Sequence, residues 1–136
     1  MSSTLQHLTD ATFERTITQA DAPILVTFTA PVRCPACRQQ KPALEALAFE
    51  GYPVFVVDVE KPDSAYVERT WGGRGVPFHK LYSRGKLLLE HLGVLSAQEI
   101  LQLFERANAM PRPPKRRGGY ASVGGFLGGF GRGELS

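Results

Sequence analysis

Two short, dense apolar runs stand out along the chain. Ile24-Leu25-Val26-Thr27-Phe28 and Val54-Phe55-Val56-Val57-Asp58-Val59 are rich in β-branched and aromatic residues. They are too short for helices, so each predicts a buried strand. Between them, Cys37 to Phe49 carries Ala43, Leu44, Leu47 and Ala48 at helical spacing, and Gly51 ends the pattern. Thr12 to Thr18 predicts a short amphipathic helix, capped by Thr9 or Asp10. Ser64 to Thr70 predicts another, broken by Trp71-Gly72-Gly73. Phe78 to Tyr82 and Leu87 to Leu92 read as two strands, joined at Ser83-Arg84-Gly85 as a hairpin. Ser96 opens the last helix, Glu99 completes a capping box, and Leu95, Ile100, Leu103 and Phe104 supply its apolar face. The order β-α-β-α-β-β-α, after a short strand and helix, predicts an α/β fold. Its central sheet is mixed, and helices cover both faces.

The pattern stops near Ala109. Pro111, Pro113 and Pro114 follow, then Lys115-Arg116-Arg117, and eight of the 14 glycines lie between Gly118 and Gly133. No helix or central strand survives that density of proline and glycine. The chain therefore divides into a domain over 1–109 and a Pro/Gly-rich basic tail over 110–136, flexible or partner-bound. Charge divides at nearly the same place. Residues 1–107 hold 11 Lys/Arg against 12 Asp/Glu, and residues 108–136 hold 5 against 1, so the net +3 belongs to the tail. The body lacks the basic patch of a nucleic-acid domain. At 43% hydrophobic and 21% charged, the 136 residues are neither a disordered nor a fibrous chain. The longest apolar run, Pro23 to Ala30, is strand-length and far short of the ~18–20 residues of a membrane helix. Met1-Ser2-Ser3-Thr4 has neither the basic nor the apolar region of a secretory signal, which points to the cytoplasm.

The chemistry lies in Cys34-Pro35-Ala36-Cys37, just after a predicted buried strand and at the start of a helix. A free thiol titrates at about 8.5, above neutrality. A helix N-terminus offers unpaired N–H groups and positive partial charge, which favour the thiolate. Arg33 and Arg38 add charge, and Pro35 suits the first helical turn. Two intervening residues let one turn bring the sulfurs within bonding distance. One thiol can then attack a disulfide and the other resolve the mixed disulfide. The alternatives for such a pair are half of a zinc site, which lacks a second ligand pair here, and two inert core cysteines; neither metal nor cofactor is expected beyond the Cys34–Cys37 disulfide itself.

Several further segments resemble the thioredoxin family, in its order: His7-Leu8-Thr9-Asp10, Ala20 to Val26, the CxxC, Pro42, Arg74-Gly75-Val76-Pro77, and Gly93-Val94-Leu95-Ser96. The resemblance covers about residues 4–107. It implies a thioredoxin fold and a cis peptide bond before Pro77. It also implies that Cys34 is the nucleophile, that Cys37 is the resolving thiol, and that the Val76 backbone pairs with substrate. Protein disulfides would be the substrates and a thioredoxin reductase the electron donor. The chain also departs from the family. Val32-Arg33 replaces the tryptophan before the first cysteine, and the loop from Phe28 to Cys34 is one residue longer. Phe78 stands where threonine is frequent. Thr27 stands where the family has a buried aspartate that assists proton transfer, and a hydroxyl is no base near neutral pH. His79, two residues past Pro77, can tune a thiolate or bond substrate, although a satisfied or solvent-facing histidine is the ordinary reading. Trp71 reads as packing. Lys80, Arg84 and Lys86 read as a solvated edge.

The tail sets Tyr120, Phe126 and Phe130 among glycines, beside Lys115, Arg116 and Arg117. Its arginine-glycine repeats are too few for nucleic acid, and glycine-flanked aromatics suit a groove on a protein partner. Two functions follow. The first is a thiol–disulfide oxidoreductase working through Cys34 and Cys37. The alternative is an interaction or structural subunit of the same fold, docked through its tail, with redox activity secondary.

Overall fold

A computed structural model describes residues 5–72 and 75–115. The two dense apolar runs form β2 (Ile24–Thr29) and β3 (Val54–Asp58). They pair in parallel at the centre of a five-stranded sheet. A two-residue β1 (Gln6–His7) lies along the outer side of β3, and β4 (Phe78–Ser83) pairs antiparallel with β2. β5 (Lys86–Leu92) closes the other edge, giving the order β1-β3-β2-β4-β5. The helices are α1 (Phe13–Gln19), α2 (Pro35–Phe49), α3 (Ala65–Trp71) and α4 (Ala97–Ala109).

Strand alternation divides the core into two layers. Leu25, Val54, Val56 and Leu81 face α2 and α4, where Leu44, Leu47, Ile100, Leu103 and Phe104 meet them. Ile24, Val26, Phe28, Val57 and Tyr82 face α1 and α3, through Phe13, Ile17 and Val67. Thr27 shares the face of Leu25 and therefore looks toward α2. Trp71 packs as expected, its ring centroid 5.3 Å from that of Phe13. The hairpin turns on Arg84 and Gly85, both at positive φ (53° and 82°), as a tight two-residue turn requires. The Ser96–Glu99 capping box is complete, with bonds of 2.8 and 3.1 Å.

Three local readings change. The residue ahead of α1 is Thr12, because Thr9 and Asp10 form the preceding turn. The Asp10 carboxylate instead accepts from the N–H groups of Tyr66 and Val67, at 3.2 and 2.8 Å, and so caps α3. The solvated-edge reading fails for Lys80, which is only 9% exposed. Alternation puts it beside Phe78, and its stem runs under the sheet so that Nζ donates to Trp71 O at 2.6 Å. Arg84 is engaged as well, donating to Asp21 Oδ1 at 3.3 Å and to Pro113 O at 2.9 Å.

The first tail residues lie on the body. Pro113 is buried, and Arg112 Nη1 donates to Asp21 O at 2.6 Å. Asp21 O also accepts from Ser83 Oγ at 2.7 Å. This clasp lies at the start of β2, the pole away from Cys34. A cut after Lys115 should leave the melting temperature unchanged. A cut after Ala109 removes the clasp, and two lost hydrogen bonds of ~1 kcal/mol each should lower it by roughly 5–10 °C. Thermal unfolding of the two truncations checks this, and equal melting temperatures would contradict it.

Candidate active site

Cys34 is the residue ahead of α2, with extended backbone (φ −113°, ψ 104°). Pro35 takes the first helical position, where a missing N–H costs nothing. This geometry turns the helix's free N–H groups onto the sulfur, and Cys37 N donates to Cys34 Sγ at 3.1 Å. Cys34 is half-buried, whereas Cys37 is 2% exposed. Cys37 Sγ accepts from Ala30 N at 3.4 Å and from the Thr29 hydroxyl. Burial, together with the neighbouring Cys34 sulfur, pushes the Cys37 thiol above its ordinary range, and the Ala30 and Thr29 bonds offset only part of this.

The Val76–Pro77 bond is cis, as the family resemblance implies, and Pro77 is buried. Val76 O lies 3.8 Å from Cys34 Sγ. A cleft of about 200 Å³ adjoins it, lined by Phe28, Arg33, Val59, Glu68, Gly75 and Val76. The longer loop before Cys34 closes with a Cys34 N to Ala30 O bond of 3.0 Å. Arg33 and Val32 are exposed on it. Lys115 is exposed at the far pole. Arg116, Arg117, Tyr120, Phe126 and Phe130 lie outside the described residues.

Behind the dithiol, Thr27 meets His79, which is a satisfied, buried histidine. Thr27 pairs across the sheet with His79, and its hydroxyl lies 2.8 Å from His79 Nδ1. His79 Nε2 faces Gln40 Oε1 at 3.1 Å and Gly93 O at 3.0 Å. Gln40 spans onward, donating to Leu95 O at 2.8 Å and accepting from Leu95 N at 2.7 Å. Two oxygens around Nε2 put the ring proton there, so Nδ1 accepts from Thr27. Thr27, His79 and Gln40 are all buried, and each is hydrogen-bonded. Burial, helped by His91 and opposed by the Gly93 carbonyl, lowers the His79 pKa to about 4, so the ring is neutral at pH 7. Gln40 was visible only as a polar residue one turn past Cys37 on the helix face that buries Leu44 and Leu47. Among the described residues, no group of His, Cys, Asp or Glu is placed to hold a metal.

Known proteins resemble this chain in sequence and in fold. The Thioredoxin family model matches residues 4–106. The thioredoxin of Rhodospirillum rubrum is 30% identical over 102 residues, covering 74% of this chain and 97% of its own. That of Haemophilus influenzae is 31% identical over 106 residues, covering 76% and 97%. Among solved structures, thioredoxin f from spinach chloroplast superposes with a TM-score of 0.68 at 20% identity, over 79% of this chain and 96% of that one. A thioredoxin from Malassezia sympodialis gives 0.65 at 17%, over 79% and 93%. These two establish the fold, and the sequence matches establish the kinship. The chain belongs to the thioredoxin family, and it is a thiol–disulfide oxidoreductase whose redox couple is the Cys34/Cys37 pair.

Proposed function

We propose that Cys34 is the attacking thiol and Cys37 the resolving thiol of a disulfide reductase acting on protein substrates. The observation that carries this division is the difference in access. Cys34 sits half-exposed at the helix start beside Val76 O, and Cys37 is sealed beneath it. The Cys34 thiolate attacks one sulfur of a substrate disulfide, breaking that S–S bond and releasing one substrate thiol. Cys37 gives up its proton and attacks Cys34 Sγ, breaking the mixed disulfide and releasing the second substrate thiol. Two electrons pass to the substrate, and the protein is left with a Cys34–Cys37 disulfide. A dithiol donor, a thioredoxin reductase in the family's manner, returns it to the reduced form. The Val76 backbone pairs with the substrate strand, and Pro77 shapes that edge.

The test is insulin reduction, with dithiothreitol and with a thioredoxin reductase as donor. Turnover that Cys34→Ser abolishes supports the reading, and insulin untouched under both donors removes it. We place the protein in a reducing compartment, the cytoplasm, where a dithiol donor can keep the Cys34/Cys37 pair reduced. Thiol trapping in cells that finds the pair held oxidised would contradict this. Among the described residues, no helix is long and apolar enough to cross a membrane. For the tail we propose a protein partner, met by Lys115, Arg116 and Arg117 with Tyr120, Phe126 and Phe130. Capture from native lysate that survives truncation after Lys115 would remove that idea. No observation favours the alternative in which redox activity is secondary.

A further inference from the structure

The segment Pro31-Val32-Arg33, where this chain departs from its family in length and residue type, is held from two sides by charged groups. Glu60 Oε1 accepts from Val32 N at 2.9 Å, and Glu60 Oε2 accepts from Arg33 N at 2.9 Å. From the opposite side, Arg38 Nη1 donates to Pro31 O at 3.0 Å and to Val32 O at 2.7 Å. Neither clamp is loose. Glu60 is presented by the loop after β3, where its own N–H donates to Asp58 Oδ1 at 2.9 Å and Val59 N donates to Thr29 O at 2.8 Å. Arg38 stands in the first turn of α2, and its N–H donates to Cys34 O. Although desolvation works against it, the two N–H groups and the charges of Arg33 and Arg38 keep the Glu60 carboxyl below the usual carboxylate range. It is therefore ionised at neutral pH, the form that can accept both bonds.

The consequence falls on Val32. Its N–H and C=O are both engaged, which holds the backbone in place, and the residue is 81% exposed. It stands two residues ahead of the attacking sulfur, and Arg33 beside it lines the cleft that Val76 shares. We infer that Glu60 and Arg38 are positioning residues that clamp residues 31–33 and hold Val32 out as the apolar contact for the residue flanking a substrate's disulfide. Specificity then rests on a pre-ordered aliphatic surface: the ordering cost is met in folding rather than at binding.

This rests on Cys34 as the attacking thiol, and the experiment separates the two. Two short peptide homodisulfides are compared, one with leucine and one with serine beside the cysteine. The readout is the ratio of their kcat/KM values, which general damage to the dithiol leaves unmoved. Val32→Ser should lower the leucine-to-serine ratio about five-fold, the scale of an aliphatic contact withdrawn from water. Glu60→Ala and Arg38→Met should lower it by a similar factor, and the milder Glu60→Gln, which keeps one acceptor, by less. A ratio that falls only in Val32→Ser overturns the clamp, and one that stays constant throughout overturns the whole inference. If Cys34→Ser still reduces either peptide, the fault lies in the assignment of the nucleophile.

Discussion

Cys37→Ser should stop turnover at the mixed disulfide, with steady-state insulin reduction falling about a thousand-fold or more. What Cys34 needs for the first attack survives the change. The bond to its sulfur comes from the backbone N–H of residue 37, not from that residue's thiol. Serine is close in size to cysteine, and its oxygen can accept from Ala30 N in place of sulfur. The variant should therefore release one equivalent of substrate thiol in a burst and then hold the substrate covalently on Cys34. No other cysteine exists to displace it. Mass spectrometry of the stalled protein would show the adduct, and dithiothreitol would release it. Cys34→Ser should give no burst and no adduct, because the remaining thiol is buried and its pKa is raised. An adduct on Cys37 in that variant, or repeated turnover in Cys37→Ser, would reverse the assignment.

The parts of the molecule that were legible in the sequence are those that depend on neighbours along the chain. β2 and β3 announce themselves because both faces are buried, which leaves almost no polar residue in either run. The capping box, the hairpin turn and the CxxC are local too. What stayed hidden depends on pairings across the sheet. Lys80 reads as a surface charge until alternation in β4 places it beside Phe78, with the Trp71 carbonyl in reach of its Nζ. His79 and Thr27 each draw notice in the sequence, but only the register of β4 on β2 makes them one hydrogen-bonded pair. Glu60 carries no signal at all. It lies 27 and 28 positions from the N–H groups it binds, in a loop whose path no periodicity specifies. Proline content marked the end of the body at Ala109, yet proline is compatible with packing when its carbonyl finds a donor, as Pro113 finds Arg84.

Acid should weaken this protein in a window that His79 sets. In the unfolded chain His79 titrates near 6.5, and in the fold at about 4. Between those values the unfolded chain binds a proton that the folded chain does not, so stability is complete above 6.5 and falls as pH drops toward 4. The loss amounts to roughly 3 kcal/mol. Denaturation at a series of pH values should show His79→Leu flatter across this window, although less stable at pH 7 because Thr27 and Gln40 lose a partner. Parallel curves would contradict the assignment. The same pair decides what happens when the family's aspartate is restored. Thr27→Asp puts a carboxylate where the hydroxyl now sits 2.8 Å from Nδ1. The carboxylate holds the imidazole protonated, so the acid window should close. It is then engaged by His79 and is no free base for Cys37, and resolution of the mixed disulfide should stay within about two-fold of wild type. Adding His79→Leu frees the carboxylate, and resolution should then quicken about ten-fold, part of a general-base effect of ~10²–10⁴. Single-turnover measurement of the second thiol released separates the cases. A ten-fold gain from Thr27→Asp alone would mean that His79 does not hold the carboxylate.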